Sequence, residues 1–491
     1  MHKEIIVTID IGSSKIVAAA GKKDEKGAIH ILALKTEATK TSVCRGRVYN
    51  LREVSNIIRK LLNQLNNELG YEIIKVYVGV GGQSLINGTY STTVGAEHII
   101  VNERLLNSLR EECKASQPDL LEVLDIVSSE YFIDGKNEKN PIGVLSREKI
   151  DAQFSFIQGS SSIKMNLNRC ISVENDIDIA GYFIAPIATA TATLTEQEKK
   201  SGCALIEFGA GVTYLSIYKD NLLKYLITIP IGGNAITKDI CDLNISEDEA
   251  EKLKLKYGNA LIDDNKEEGH PTKVKFNGQE INLELFNEIV VARIDEIIAN
   301  VNNQLDISGF SNALESGIII TGGGAALKNL VESIKQKINP KVRLASVKED
   351  VIDKDSLEKY NQTPGIEQTI GLLLFGTKDC VKFKEIETTP LVQEQPTVQT
   401  PPTAQATPTV TVQEQPSAQA TPTDMFGFPI KPGKTGKRKE AAPVVKTSSN
   451  LVQKLKDGIE IMVKSADKAS QVTFSDKSDL INKVDNDTNE Q

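Results

Sequence analysis

In 491 residues the sequence holds only six cysteines and four histidines. The cysteines (Cys44, Cys113, Cys170, Cys203, Cys241, Cys380) form no CxxC pair, and the histidines (His2, His30, His98, His270) stand apart. That scarcity excludes a zinc site of ordinary spacing and offers no disulfide framework, so the thiols read as reduced and structural. Nothing in the spacing supports a Ser/His/Asp nucleophilic arrangement. No uninterrupted apolar stretch reaches the roughly 18 residues of a membrane-spanning helix. The first residues, MHKEIIVTIDIG, enter a strand-like run at once, without the apolar core and small-residue cleavage site of a signal peptide. Positive charge is also short. The 57 basic residues face 66 acidic ones, a net charge of −9, which argues against broad nucleic-acid binding. The rest is ordinary. Charged residues at 25% and apolar ones at 40% suit a soluble globular chain, and the length suggests roughly three domains.

What is present is unevenly distributed. Ten of the 17 prolines fall between Pro390 and Pro443. The stretch 388–423 is nearly all Thr, Pro, Gln, Ala, Val and Glu, and VQEQPTVQTPPT at 392–403 recurs as VQEQPSAQATPT at 412–423. Such a tract cannot bury enough apolar area to offset its chain entropy, so it reads as an extended linker. Charge is divided as well. Nine basic and three acidic residues lie between Lys431 and Lys464, a local +6, while residues 1–387 carry the whole −9. The body alternates strand candidates (Ile5–Ile9, Lys75–Val80, Ala204–Phe208, Thr213–Tyr218, Gly317–Thr321) with helical patterns (Leu51–Leu69, Ser246–Tyr257, Leu283–Leu305, Leu327–Ile338), an α/β pattern.

Two segments of the body share one design. IIVTIDIGSSKIVAAAGKK (5–23) and CALIEFGAGVTYLSIYKDNLLKY (203–225) each run strand, acid, apolar residue, glycine, short small-residue turn and second strand. The acids are Asp10 and Glu207. The turns are Gly12, Ser13, Ser14 and Gly209, Ala210, Gly211. Gly and Ser turns let backbone N–H groups point at phosphate oxygens, and two such hairpins facing each other would clamp a polyphosphate. The carboxylates would hold waters of a Mg²⁺ ion, which keeps several of them, and Lys15 would reach a phosphate as a point charge. A strand follows each turn, which excludes the Rossmann and Walker patterns. A third cluster, GIIITGGGAALKNL (317–330), places Gly322, Gly323 and Gly324 after a strand. A helix start there would bring backbone near a base or ribose. Gly427, Gly433, Lys434 and Thr435 imitate a Walker loop with one spacer residue too many, and no strand precedes them.

Taken in order, these motifs resemble the actin/Hsp70/sugar-kinase superfamily, and within it the bacterial cell-division family FtsA. DIGSSKI (10–16), ATATLTEQEKKSGCALIEFGAGVTYLSIY (190–218), IPIGGNAITKDI (229–240), SEDEAEKLKLKYGNAL (246–261), GIIITGGGAAL and PGIEQTIGLLLFG carry the likeness. It implies an actin-like (ribonuclease H-like) two-domain ATPase fold. Residues 1–83 and 160–197 would form one half, 84–159 an inserted subdomain, 198–240 and 306–387 the second half, and 241–305 its small subdomain. A disordered linker (388–447), an amphipathic helix (448–470) and a polar tail (471–491) would follow.

The resemblance also implies roles. ATP with Mg²⁺ is the expected cofactor, with Asp10 orienting magnesium-bound water. Gly12, Ser13, Ser14 and Lys15 would hold phosphates from one side, and Gly209, Ala210, Gly211 and Thr213 from the other. Glu251 would bond the ribose and Lys254, on the same helix face at i+3, would lie against adenine. Gly232, Gly233 and Asn234 match a segment beside the cleft. Two departures bear on chemistry. The second turn begins with Glu207 where the family has Asp, and the usual water-orienting residue falls near Ala185, which cannot orient water or take a proton. Tight ATP binding with at most weak hydrolysis is the expectation. Implied partners are the tail of the tubulin-like protein FtsZ, with Arg293 in 288–305 at its site, further copies of the chain in a filament, downstream division proteins, and no nucleic acid. A phosphotransferase of the sugar-kinase branch and a pilus-assembly actin homologue are the alternatives.

Residues 450–469 add a feature that a kinase would not need. At 100° per residue, Leu451, Val452, Leu455, Ile459, Met462 and Val463 fall within an arc of about 120°, with Lys454, Lys456 and Lys464 on or beside the polar face. A basic amphipathic helix behind a linker reads as an anchor to an anionic membrane surface. The expected location is the cytoplasmic side of the cell membrane at the division septum.

Overall fold

The computed structural model describes residues 4–116, 121–262 and 273–383. The expected linker, the amphipathic helix with Leu451, Val452, Leu455, Ile459, Met462 and Val463, and the polar tail lie outside the described residues. Among the described residues no helix is long and apolar enough to cross a membrane.

Two sheets organise the body. The first has five strands in the order Asp178–Ile184, Lys75–Val80, Ile6–Ile11, Lys15–Lys23, Ile29–Ala38. Its last three form an antiparallel meander, and the first two join in parallel. Near-continuous apolar runs suit strands buried on both faces, and Ile6, Val7 and Ile9 are indeed buried. The helix Leu51–Leu69 begins at Asn50, whose side chain accepts the Glu53 amide, and ends at Gly70 in the left-handed region at φ 73°. Val54, Ile58, Leu61, Leu62 and Leu65 are its buried stripe, the spacing of one helix face.

The second sheet has nine strands, in the order Lys136–Asn137, Leu121–Ile133, Lys149–Ser160, Ile86–Gly95, Leu222–Ile229, Thr213–Lys219, Cys203–Phe208, Ile318–Thr321, Val342–Leu344. Residues 86–160 thus share a sheet with the second half of the chain. The join is narrow. It consists of the Ile86–Ile227 pairing, the Leu226 amide on Asn87 Oδ1 at 2.9 Å, and the Thr228 amide and hydroxyl on the Leu85 carbonyl. This region has its own core, around Leu106, Leu109, Tyr131, Phe154 and Phe156.

One helix starts later than its sequence pattern. The helix expected from Leu327 begins at Leu330, because Gly323–Ala326 closes as a 3₁₀ turn and Asn329 sits in the left-handed region at φ 60°. The three glycines therefore do not lead directly into a helix N-terminus.

Candidate functional site

Each hairpin turn is closed by the same bond. The Gly12 amide donates to the Lys15 carbonyl at 3.0 Å, and the Gly209 amide to the Val212 carbonyl at 3.0 Å. Among the described residues, the amides of Ser13, Ser14, Ala210 and Gly211 make no backbone hydrogen bond. The two turns meet. A Cβ built on Gly211 would strike the Ser13 hydroxyl and lie 2.8 Å from Ser13 Cβ and 2.9 Å from Arg45 Cα. Ser13 is buried, and its hydroxyl accepts the Gly46 amide at 2.7 Å.

Around the turns opens a cleft of about 1570 Å³. It is lined by Asp10, Gly12, Ser13, Ser14, Lys15, Ala185, Glu207, Gly209, Ala210, Gly211, Gly233, Asn234, Glu251, Lys254, Gly322, Gly323 and Gly324. Residues from six separate stretches of the chain are thus brought together. Thr213 and Gly232 are not on the lining. Thr213 is fully buried and its hydroxyl donates to the Ile231 carbonyl at 2.8 Å. Gly232 lies behind the second turn, where a Cβ would sit 2.5 Å from the Gly209 carbonyl oxygen and 2.7 Å from that of Ala210. Both residues brace the turn from outside.

The floor of the cleft holds two buried acids, Glu207 and Asp10. Burial pushes the Glu207 carboxyl up to about 8. A hydrogen bond with Thr189 opposes the rise, and the charges of Asp10 and Glu367 add to it. Burial likewise lifts Asp10 to about 6, against the nearby Lys15 charge and the hydrogen bonds from the Ile11 backbone and Gln368. Burial lowers the pKa of Lys15, opposed by Asp10 and Glu367, and its amine donates to the Pro364 carbonyl at 2.5 Å. Tyr214 stands opposite Glu207 in the hairpin. Its buried hydroxyl, pushed far up in pKa by burial, accepts the Gly82 amide at 2.6 Å.

Glu207 is 8% exposed, and its Oε2 has no hydrogen-bond partner among the described residues. An unpaired buried carboxylate oxygen costs free energy, and a hydrated hard cation would relieve that cost. No three His, Cys, Asp or Glu side chains among the described residues form a metal cage. Mg²⁺ does not require one, since it is ordinarily held by one or two carboxylates, waters and substrate phosphates. The donor set fits that ion.

At the other end of the cleft, Glu251 and Lys254 share a helix face, with Nζ and Oε2 2.7 Å apart. Thr237 links them. Its hydroxyl donates to Glu251 Oε2 at 2.5 Å and accepts from Lys254 Nζ at 2.8 Å, while Nζ also donates to the Gly233 carbonyl at 3.0 Å. The capping box of Ser246 and Glu249 sets the start of this helix.

Arg293, which the resemblance sets at a partner site, is held in ion pairs. It forks onto Asp239 at 2.6 and 3.0 Å and also pairs with Glu296. It is 16% exposed, Asp239 17% and Glu296 10%. Replacing it by alanine would leave two half-buried carboxylates unpaired, so Arg293→Ala should cost about 3 kcal/mol of stability. A urea midpoint near wild type would contradict this.

Sequence reasoning passed over Thr237, Tyr214, Pro364, Glu367 and Gln368. The last three lie in PGIEQTIG, which carries no phosphate-loop signature. Only its arrival beside Asp10 reveals them.

Comparison with known proteins shows what the chain as a whole is similar to. Residues 204–366 match the family model described as cell division protein FtsA. The chain is 33% identical over 401 residues to the cell division protein FtsA of Porphyromonas gingivalis, covering 79% of this chain and 82% of that protein. It is 29% identical over 364 residues to the protein of the same name from Bacillus subtilis, covering 70% and 79%. Among solved structures, a chain of the PilM–PilN type IV pilus biogenesis complex superposes with a TM-score of 0.53 at 13% identity, covering 75% of this chain and 97% of that one. That likeness speaks for the fold alone.

Proposed function

The chain belongs to the FtsA family of cell-division proteins and has its actin-like fold, and from that premise we propose that it is an ATP-binding, polymerising actin homologue that tethers FtsZ filaments to the inner face of the cytoplasmic membrane. It would also recruit later division proteins to the septum. The observation that carries the nucleotide assignment is the pair of identically closed turns meeting at Ser13 and Gly211 above an unpartnered Glu207 oxygen.

Mg²⁺, when bound, supplies charge neutralisation of the phosphates. Asp10 and Glu207 would hold its waters, and Ser13, Ser14, Ala210 and Gly211 would offer their free amides to phosphate oxygens. Lys15 would exchange the Pro364 carbonyl for a phosphate. Glu251 would take the ribose, with Lys254 beside the base, each loosening its present bond to Thr237. Ala185, 2% exposed at the cleft wall, presents a methyl group where a water-orienting amide or acid would be needed. Turnover below about one per second is expected, under the ordinary enzyme range. A faster steady-state phosphate release would sink this.

The interaction with FtsZ is assigned to the small subdomain around 288–305, with Arg293 shaping that surface through its ion pairs. Residues 448–470 would supply the membrane contact. One helix of this kind binds weakly, and a filament multiplies it by avidity. Liposome co-sedimentation with ATP tests the whole proposal, comparing the full chain with a chain truncated after residue 447, with and without FtsZ. Pelleting should depend on anionic lipid and on the tail, and FtsZ should pellet only with the full chain. Equal pelleting of both chains would refute the anchor.

A further inference from the structure

Asp10 is held from a distant part of the chain. Gln368 Nε2 donates to Asp10 Oδ1 at 2.6 Å across 358 residues, and both side chains line the cleft. We propose that Gln368 is a positioning residue that fixes the Asp10 carboxylate for the hydrated cation of a bound Mg²⁺–nucleotide, an inference that rests on the nucleotide assignment above.

Three features make the contact a built one. First, the space for the carboxylate is reserved. Gly79 pairs with Asp10 in the neighbouring parallel strand, and a Cβ there would lie 3.0 Å from Asp10 Oδ1 and 3.0 Å from Leu372 Cδ1. Leu372 is one turn beyond Gln368, so the helix that bonds the carboxylate also crowds the space beside Gly79. Second, that helix, Ile366–Phe375, is firmly seated. Ile366, Thr369, Ile370, Leu372 and Leu373 are buried, and Gly371 approaches Ala188 so closely that any Cβ would collide with its carbonyl. Third, the same segment holds the charged amine beside the first turn, because Pro364 takes the Lys15 amine. Residues 364–368 thus act as a third wall beside the two turns.

The chemistry of the pair decides the amide's orientation. A carboxylate accepts only, so the nitrogen of Gln368 must face it. Together with the Ile11 backbone amide, this bond fixes the orientation of the Asp10 carboxylate. Groups that orient a metal-site carboxylate in this way commonly change metal affinity by 10–100-fold when removed.

The test uses the full chain, with Gln368→Ala and Gln368→Glu as variants. A fluorescent ATP analogue reports binding, first across a Mg²⁺ titration and then in EDTA. The Mg²⁺ midpoint should rise at least about tenfold in Gln368→Ala and no less in Gln368→Glu, whose shape is conserved but which faces Asp10 with an acceptor. Affinity in EDTA should stay within about twofold in the uncharged Gln368→Ala variant. A role in packing alone predicts the opposite order, with the isosteric Glu variant close to wild type. Midpoints within twofold of wild type in both variants, or that reversed order, would overturn the inference while leaving the nucleotide assignment intact. If wild type binds no nucleotide in either condition, both fall. Should Gln368→Ala lose its fold, shown by thermal denaturation, the isosteric variant decides alone.

Discussion

A Gly211→Ala chain should bind ATP at least about 100-fold more weakly than wild type, equivalent to about 2.8 kcal/mol. The added methyl has no free volume. It would collide with the Ser13 hydroxyl while standing 2.8 Å from Ser13 Cβ and 2.9 Å from Arg45 Cα. A backbone atom cannot yield as a long side chain can, so the second turn must back away from the first. Overpacking of this kind costs about 1–3 kcal/mol, and here the cost falls on the gap that the phosphates would occupy. Gly232→Ala should act similarly from behind, since its Cβ would press on the carbonyl oxygens of Gly209 and Ala210 and lie 2.8 Å from the Val212 nitrogen. Ser13→Gly placed in the Gly211→Ala background removes the nearest obstacle and should recover part of the affinity. Calorimetric titration of the two single variants and the double variant checks this. Unchanged affinity in Gly211→Ala would mean that the phosphates do not pass between the turns.

Glu207→Gln should make the nucleotide-free protein more stable at pH 8 than wild type and remove most of its pH dependence. A glutamate in the unfolded chain titrates near 4.5, and in the folded cleft near 8. The folded state therefore keeps a proton that the unfolded state has released between those values. Stability is full below about pH 4.5 and is lost as the pH rises through about 8. The displacement corresponds to at most about 5 kcal/mol. Asp10, raised from 3.8 to about 6, works in the same direction over a lower window, and its charge is one reason Glu207 is raised, so the two contributions are not summed. Urea unfolding at pH 5.5 and pH 8 in EDTA measures the slope. Equal slopes for wild type and Glu207→Gln would remove Glu207 as the cause. The same substitution should weaken Mg²⁺-dependent ATP binding, because the buried oxygen that has no partner among the described residues is what a hydrated cation would satisfy. Stability without ligand and readiness for it pull in opposite directions at this residue.

Much of the site was legible because its parts are local. The turns at 12–14 and 209–211 are written in consecutive residues, and the shared design of the two hairpins appears in the structure as the same glycine-to-carbonyl bond. The helix carrying Glu251 and Lys254 is framed by its own capping box. What misled the reading was also local. Thr213 sits in the second turn motif yet turns its hydroxyl to Ile231, and the three glycines at 322–324 suggest a helix start but lead into a 3₁₀ turn. Arg293 looks like a surface charge on a helix until Asp239, 54 residues away, is seen to take its guanidinium.

The hairpin turns, the major helices, the Pro-rich break near residue 388 and the uneven charge along the chain could be read from the residues alone. Each of these depends on a residue's own conformational preference or on neighbours within a turn or two. Tertiary structure alone decided which charges remain available and which are spent. Gln368 reaches Asp10, Pro364 takes Lys15, and Glu207 keeps an oxygen with no partner among the described residues. Those outcomes depend on burial and on partners hundreds of residues away. Desolvation strengthens with enclosure by the whole fold, and no local spacing encodes it.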